Sequence, residues 1–181
     1  MKKKEGINMK RLLIVVDYQN DFVNGSLGFK GAELLDDYIS GLVNDYKDKG
    51  DDVIYTLDTH QEDYMDTYEG KNLPVPHCIE GSEGWQLYGK TSDALKGCLS
   101  FKKPTFPSLD LANYLVDKEY EDVTLVGLVS HICVISNAIM VKAALPNTPI
   151  IVDAKGTDSV DKETHQKCLD VMKTLHIIVK S

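Results

Sequence analysis

Leu12 to Val16 form an unbroken apolar run that stops at Asp17. A run this short and this uniformly apolar reads as a strand buried on both faces, the pattern of a parallel sheet. Further strand-like runs recur at Asp52 to Leu57, Cys98 to Phe101, Val123 to Val126, Thr148 to Val152 and His176 to Val179. Helical patterns lie between them. Apolar residues at 34, 35, 38, 39, 42, 43 and 46 make a stripe from Ala32 to Tyr46, and Lys49-Gly50 supplies its stop. Pro107-Ser108 opens a helix toward Lys118 with Ser108 as N-cap. Two more helices are expected, from Cys133 to Leu145, where Pro146 breaks the pattern, and from Lys162 to Leu175. This alternation predicts an α/β protein, a three-layer α/β/α sandwich around a mainly parallel sheet.

The 181 residues suit one domain over 1–181, large enough for a full core. The opening MKKKEGINMKR lacks the apolar stretch of an export signal. Residues 1–8 are expected to be a disordered tail, with Met9 as an alternative start. Leu12 to Val16 is far too short to cross a bilayer. A net charge of −8 argues against nucleic acid or an anionic membrane as partner, since both attract basic surfaces. Cys78, Cys98, Cys133 and Cys168 are scattered with no CxxC pair, which points to free thiols and a cytoplasmic location. Assembly into a homo-oligomer is left open.

In open α/β sheets, ligands gather at the carboxyl ends of the strands. Asp17, Asp58-Thr-His60, Lys103 and the Gly127 to Cys133 turn all fall there. Between the first strand and helix the chain has Asp-Tyr-Gln-Asn-Asp-Phe in place of GxGxxG, and it has no GxxxxGK[ST], so neither a dinucleotide fingerprint nor a phosphate loop is present. Cys133 follows a Gly-led turn at the start of an expected helix, where amides and the helix dipole are expected to lower a thiol's pKa. Strand, tight turn, then nucleophile is an arrangement hydrolases use. The N–H groups of Val129 and Cys133 in that turn are candidates for an oxyanion hole. The thiol needs a proton acceptor. His131 lies two residues away and would point elsewhere on a helix, so Asp17 is preferred, with Lys103 as electrostatic support. Asp58, His60, Glu69 and His77 supply a mixed nitrogen and oxygen donor set suited to one divalent metal ion (zinc, manganese or iron). Asp63 and Asp66 compete with Glu69 as the third ligand. Cys78 is read as structural. The stretch from Thr59 to Gly89 has no sustained period, and a loop that long is usually functional.

These residues resemble a known family. Asp17-Tyr-Gln-Asn-Asp-Phe22 resembles the DxQxDF opening of the nicotinamidase/isochorismatase-like cysteine hydrolases, and Asp58-Thr-His60 their metal-binding DxH. His77-Cys-Ile-Glu-Gly-Ser-Glu-Gly84 is similar to their HC-x-x-G-[ST]-x-G loop, and Lys103-Pro-Thr-Phe106 to their lysine segment. Gly127 through Cys133-Val134 resembles their nucleophile turn. The matches come in family order over residues 11 to 152.

The resemblance implies the isochorismatase-like hydrolase fold and a catalytic set of Cys133 as nucleophile, Asp17 as acid/base and Lys103, preferred to Lys102, as support. It also implies a cis peptide between Leu128 and Val129, and a metal on Asp58, His60, Glu69 and His77 that binds a pyridine nitrogen. The implied reaction is hydrolysis of a small-molecule amide, nicotinamide to nicotinate and ammonia, through a thioester, with a place in pyridine nucleotide salvage. Another small amide or carbamoyl compound is the alternative. Ether cleavage of isochorismate does not need the cysteine, and a non-catalytic module would have lost one of these groups. Two departures from the pattern stand out. Ser130-His131 replaces Thr-Asp, and Leu73-Pro-Val-Pro76 replaces an aromatic before the metal histidine, leaving Phe22 and Phe106 to wall a substrate ring.

Overall fold

A computed structural model describes residues 9–181; the expected tail at 1–8 lies outside the described residues. The strands are β1 (Leu12–Val16), β2 (Asp52–Asp58), β3 (Leu99–Lys103), β4 (Val123–Leu128), β5 (Ile150–Asp158) and β6 (Ile178–Lys180). The helices are α1 (Asn20–Val23), α2 (Asp36–Asp48), α3 (Tyr68–Asn72), α4 (Gly89–Ala94), α5 (Leu109–Leu115), α6 (Ile135–Ala144) and α7 (Lys162–Thr174). The strands form one sheet in the order β3-β2-β1-β4-β5-β6, and every pairing is parallel.

The apolar runs explain the centre of this sheet. All residues of β1 and β4 are buried. Successive side chains point to opposite faces, so Leu12, Ile14 and Val16 join one core with Leu111, Val134, Ala138 and Leu169. Leu13 and Val15 join the other with Ile39 and Val43 of α2. The three-layer α/β/α sandwich is therefore as the sequence predicts. No helix among the described residues is long and apolar enough to cross a membrane.

Several bounds shift slightly, β3 ending at Lys103, β4 at Leu128 and α5 at Leu115, and three elements differ more. The 32–46 stripe splits into a 3-10 turn, Ala32–Leu35, and then α2. The split falls at Asp36, whose carboxylate accepts from the N–H groups of Lys90 and Thr91, both at 2.8 Å. β5 runs six residues beyond Val152, because a register shift between Leu125 and Gly127 lets Thr157 and Asp158 pair with the end of β4. Cys133 does not begin an α-helix: Ser130–Val134 is a π-helical turn that precedes α6. Val134 N–H donates to Val129 O at 3.2 Å, the wide ring that often marks a functional site.

The sheet order reverses between β1 and β4, and ligands of open α/β sheets bind beyond the carboxyl ends at such a switch point. Asp17 ends β1 on one side of it, and the π-helical turn follows β4 on the other.

Candidate active site

Asp17, Thr56, Asp58 and Lys103 come from the ends of three neighbouring strands and are all buried. Asp17 sits in the left-handed region, φ 46°, one that Asp tolerates. Its Oδ1 accepts from Thr56 Oγ1 at 2.7 Å. Lys103, 1% exposed, puts its Nζ 2.6 Å from Asp17 Oδ2, 3.0 Å from Asp58 Oδ1 and 3.6 Å from Cys133 Sγ. It also donates to Thr105 O at 3.0 Å. Lys102 turns outward to Glu80. At Asp17 Oδ2 the lysine contact is an ion pair without hydrogen-bond alignment, so that oxygen keeps a lone pair for another proton.

The electrostatics follow from burying one ammonium between two carboxylates. Burial would lower the Lys103 pKa, but Asp17, Cys133 and Asp58 hold it well above its ordinary value. Burial would raise the Asp58 carboxyl, but Lys103, His60 and His77 hold it well below the usual range. Asp17 is pushed up by burial and by Asp58, against Lys103. Burial pushes the Cys133 thiol well above its ordinary value, with Lys103 opposing and the two carboxylates adding to the rise. The expected lowering of this thiol's pKa is therefore corrected. Cys133 is 4% exposed inside the π-helical turn, and desolvation there exceeds what neighbouring charges return. The resting group is a buried thiol, with Lys103 Nζ 3.6 Å from its sulfur.

Ligand atoms of Asp58, His60, Glu69 and His77 all lie within 4.8 Å of one another. His60 Nε2 is 3.0 Å and His77 Nε2 3.3 Å from Asp58 Oδ2, and they are 3.6 and 3.7 Å from Glu69 Oε1. The edge of a tetrahedron with metal bonds of about 2.0–2.1 Å is about 3.3–3.4 Å, so the donor set fits a borderline divalent ion. His77 Nδ1 bonds Val75 O at 2.8 Å, leaving Nε2 to face the cluster, as metal-binding histidines commonly fix the ring by giving the other N–H to a carbonyl. Asp63 and Asp66 are exposed and stand outside the cluster; Glu69 is the carboxylate that joins Asp58 and the two histidines.

A cavity of about 230 Å³ opens over Cys133, Asp58, Glu69 and His77. That is below the range of about 300–1,000 Å³ usual for drug-sized ligands and suits a small molecule. Phe22, Phe106 and Val129 line it, and Phe22 packs edge-on against His77 with ring centroids 5.6 Å apart. The expectation that only two aromatics wall it is corrected: Phe29 joins them, with Leu27, Leu73, Ile132 and Val160. These residues come from short loops whose sequence carries no period. His131 also lines the cavity. The Leu128–Val129 peptide is cis.

Sequence reasoning missed Gln19 and Asp21 as scaffolding, although both stand in the quoted opening motif. Gln19 donates to Asp58 O at 2.9 Å and accepts from Asp58 N at 2.8 Å, locking the end of β2 to β1. Asp21 Oδ2 accepts from Cys78 N at 2.7 Å, which fixes the loop carrying His77. A Cβ on Gly84 would lie 2.1 Å from that same oxygen, so glycine is needed there.

A family model described as the isochorismatase domain matches residues 11–180. The chain belongs to the isochorismatase family. Within that family it is 30% identical to the isochorismatase family protein PncA of Bacillus subtilis, over 87% of this chain and 91% of that one. It is 28% identical to the nicotinamidase/pyrazinamidase of Mycobacterium tuberculosis, over 92% and 96% of the two chains. The crystal structure of nicotinamidase/pyrazinamidase PncA from Bacillus subtilis superposes with a TM-score of 0.83 at 30% identity, covering 96% of this chain and all of that one. The chain is thus a nicotinamidase/pyrazinamidase-like amidohydrolase with the isochorismatase-like fold.

Proposed function

We propose that this protein hydrolyses nicotinamide to nicotinate and ammonia, with Cys133 as nucleophile, Asp17 as acid/base and Lys103 as electrostatic support. The observation that carries the reading is one small apolar cavity lined both by Cys133, which touches Lys103 beside Asp17, and by Asp58, Glu69 and His77 of the four-donor cluster. Asp58, His60, Glu69 and His77 would hold one zinc, manganese or iron ion. When bound, that ion supplies a Lewis-acid partner for a ring nitrogen and so fixes the substrate's orientation.

The chain's own residues carry the chemistry. Asp17 takes the thiol proton as Cys133 Sγ attacks the carboxamide carbon. A raised carboxyl pKa makes Asp17 a stronger base than a surface aspartate, while Lys103 balances the growing negative charge. The N–H groups of Val129 and Cys133 would receive the oxyanion. Asp17 then passes its proton to the nitrogen, the C–N bond breaks, and ammonia leaves a thioester. Water attacks that thioester, giving its proton to Asp17, and the acid departs as the Cys133 thiol is restored. Phe22, Phe29 and Phe106 keep the ring in an apolar, water-poor setting. The reading places the enzyme in the cytoplasm with a small-molecule amide as its partner.

The test is ammonia release from nicotinamide by zinc-loaded protein. Turnover should fall by at least about 10³-fold in Cys133→Ala and drop on chelation. A metal-replete protein that leaves nicotinamide intact sinks the reading and turns attention to other small amides.

A further inference from the structure

The turn that carries Cys133 is gripped from outside by one face of α7. Ser130, fully buried at the start of the turn, has its Oγ 2.8 Å from His165 Nδ1. Its carbonyl accepts from Cys168 Sγ at 3.3 Å. His165 and Cys168 are three residues apart on α7 and therefore neighbours on its surface. On the inner side, Val129 O accepts from the N–H groups of Ile132 and Val134, both at 3.2 Å. Ser130 thus stands where the turn's own ladder meets a second helix.

That helix is a firm support. Asp161 caps it, accepting from the N–H groups of Glu163 at 3.0 Å and Thr164 at 3.3 Å. Its Leu169 and Met172 are buried in the core that also holds Val134 and Ala138. A serine in a helical turn commonly bonds its own backbone; this hydroxyl instead reaches a side chain 35 residues away. His165 is half-buried, and burial holds its pKa below the ordinary value. The ring is therefore neutral at pH 7, and in either tautomer Nδ1 can pair with a hydroxyl.

We infer that His165 is a positioning residue, acting through Ser130 to hold the N–H groups of Val129 and Cys133 where an oxyanion would form. This rests on the amidase reading. Val129 directly precedes Ser130 and Cys133 follows it within the same turn, so a shift of the serine's backbone moves both. A displacement of about 1 Å near a reacting centre can cost about 10²-fold in rate. The metal donors come from other segments, so kcat is expected to fall while KM changes little.

The experiment compares zinc-loaded wild type with Ser130→Ala, His165→Leu, the double variant and His165→Asn, whose amide can stand in for Nδ1. Nicotinamide kcat and KM are measured beside hydrogen exchange of the 129–134 amides in the same proteins. Ser130→Ala and His165→Leu should each lower kcat about tenfold or more, with KM within about threefold of wild type. The double variant should be within about twofold of either single one, because the two groups act as a unit. Exchange at 129–134 should quicken in these variants, and His165→Asn should restore both exchange and most of the kcat. Should His165→Leu fail to fold, Ser130→Ala and His165→Asn decide. A kcat within about twofold of wild type in Ser130→Ala overturns the inference, as do losses that multiply in the double variant. Unchanged exchange, or a loss in His165→Asn as large as in Ser130→Ala, overturns it too. Wild type inactive on nicotinamide, with exchange still responding, overturns the amidase reading alone; inactive with unchanged exchange, it overturns both.

Discussion

At the residue scale, burial pushes both the Cys133 thiol and the Asp17 carboxyl upward, which in the proposed mechanism lets the proton pass between them. Asp17→Asn keeps the shape and removes the base. Its kcat/KM should fall by at least about 10²-fold, the lower end of general-base contributions, measured by steady-state nicotinamide hydrolysis. His77 bears on stability. In the metal-free protein, burial would lower its pKa, but bonds to Asp58 and Val75 raise it above 6.5. That raised value contributes stability fully present below the unfolded pKa and lost as pH rises through the folded one. Zinc needs the neutral imidazole, so the gain in Tm on adding zinc should grow from about pH 6 to about pH 8. A gain that shrinks with pH over this range would contradict the assignment of His77 to the cluster. Asp17 and Asp58-Thr-His60 were legible because each closes a strand-like run, and Cys133 because it follows a Gly-led turn after one. The protonation of the thiol was not, since it depends on burial that no local pattern reports.

At the element scale, the π-helical turn is held from α6 by one side chain. Asn137, fully buried, donates to Cys133 O at 2.8 Å and to Phe106 O at 3.1 Å, and accepts from Ser108 N at 2.9 Å. It thereby ties the nucleophile turn, the cavity wall and the start of α5 together. Asn137→Ala strands three backbone groups. It should cost about 3 kcal/mol or more by urea unfolding, at the lower figure of about 1 kcal/mol per unsatisfied buried group, and should lower kcat as well. Gly127 belongs to the same region: its φ is +116°, and a Cβ would lie 2.0 Å from Val16 O, so β1 and β4 approach this closely only with glycine. The strands, α5 with its Ser108 cap and α7 followed from period and punctuation. The extension of β5 and the path from Thr59 to Gly89 did not. Those depend on contacts distant in sequence, such as Gln19 on Asp58 and Asp21 on Cys78.

At the scale of the whole molecule, the sheet order brings five separate segments to one edge. Residues 17–22, 56–60, 69–77, 103–106 and 127–134 meet there although they span much of the chain. Fold class and the edge bearing the site were readable from alternation alone, because parallel strands place all their carboxyl ends together. The aromatic and aliphatic walls of the cavity were not, since Phe29, Leu73 and Val160 stand in aperiodic segments. The central claim is that this edge performs covalent catalysis through one thiol. Its most direct measurement is intact-mass and peptide mass spectrometry after rapid acid quench of zinc-loaded protein turning over nicotinamide. Covalent catalysis predicts one added nicotinoyl group, mapped to the peptide containing Cys133 and absent in Cys133→Ala. Full turnover without that adduct, together with activity retained in Cys133→Ala, would contradict it.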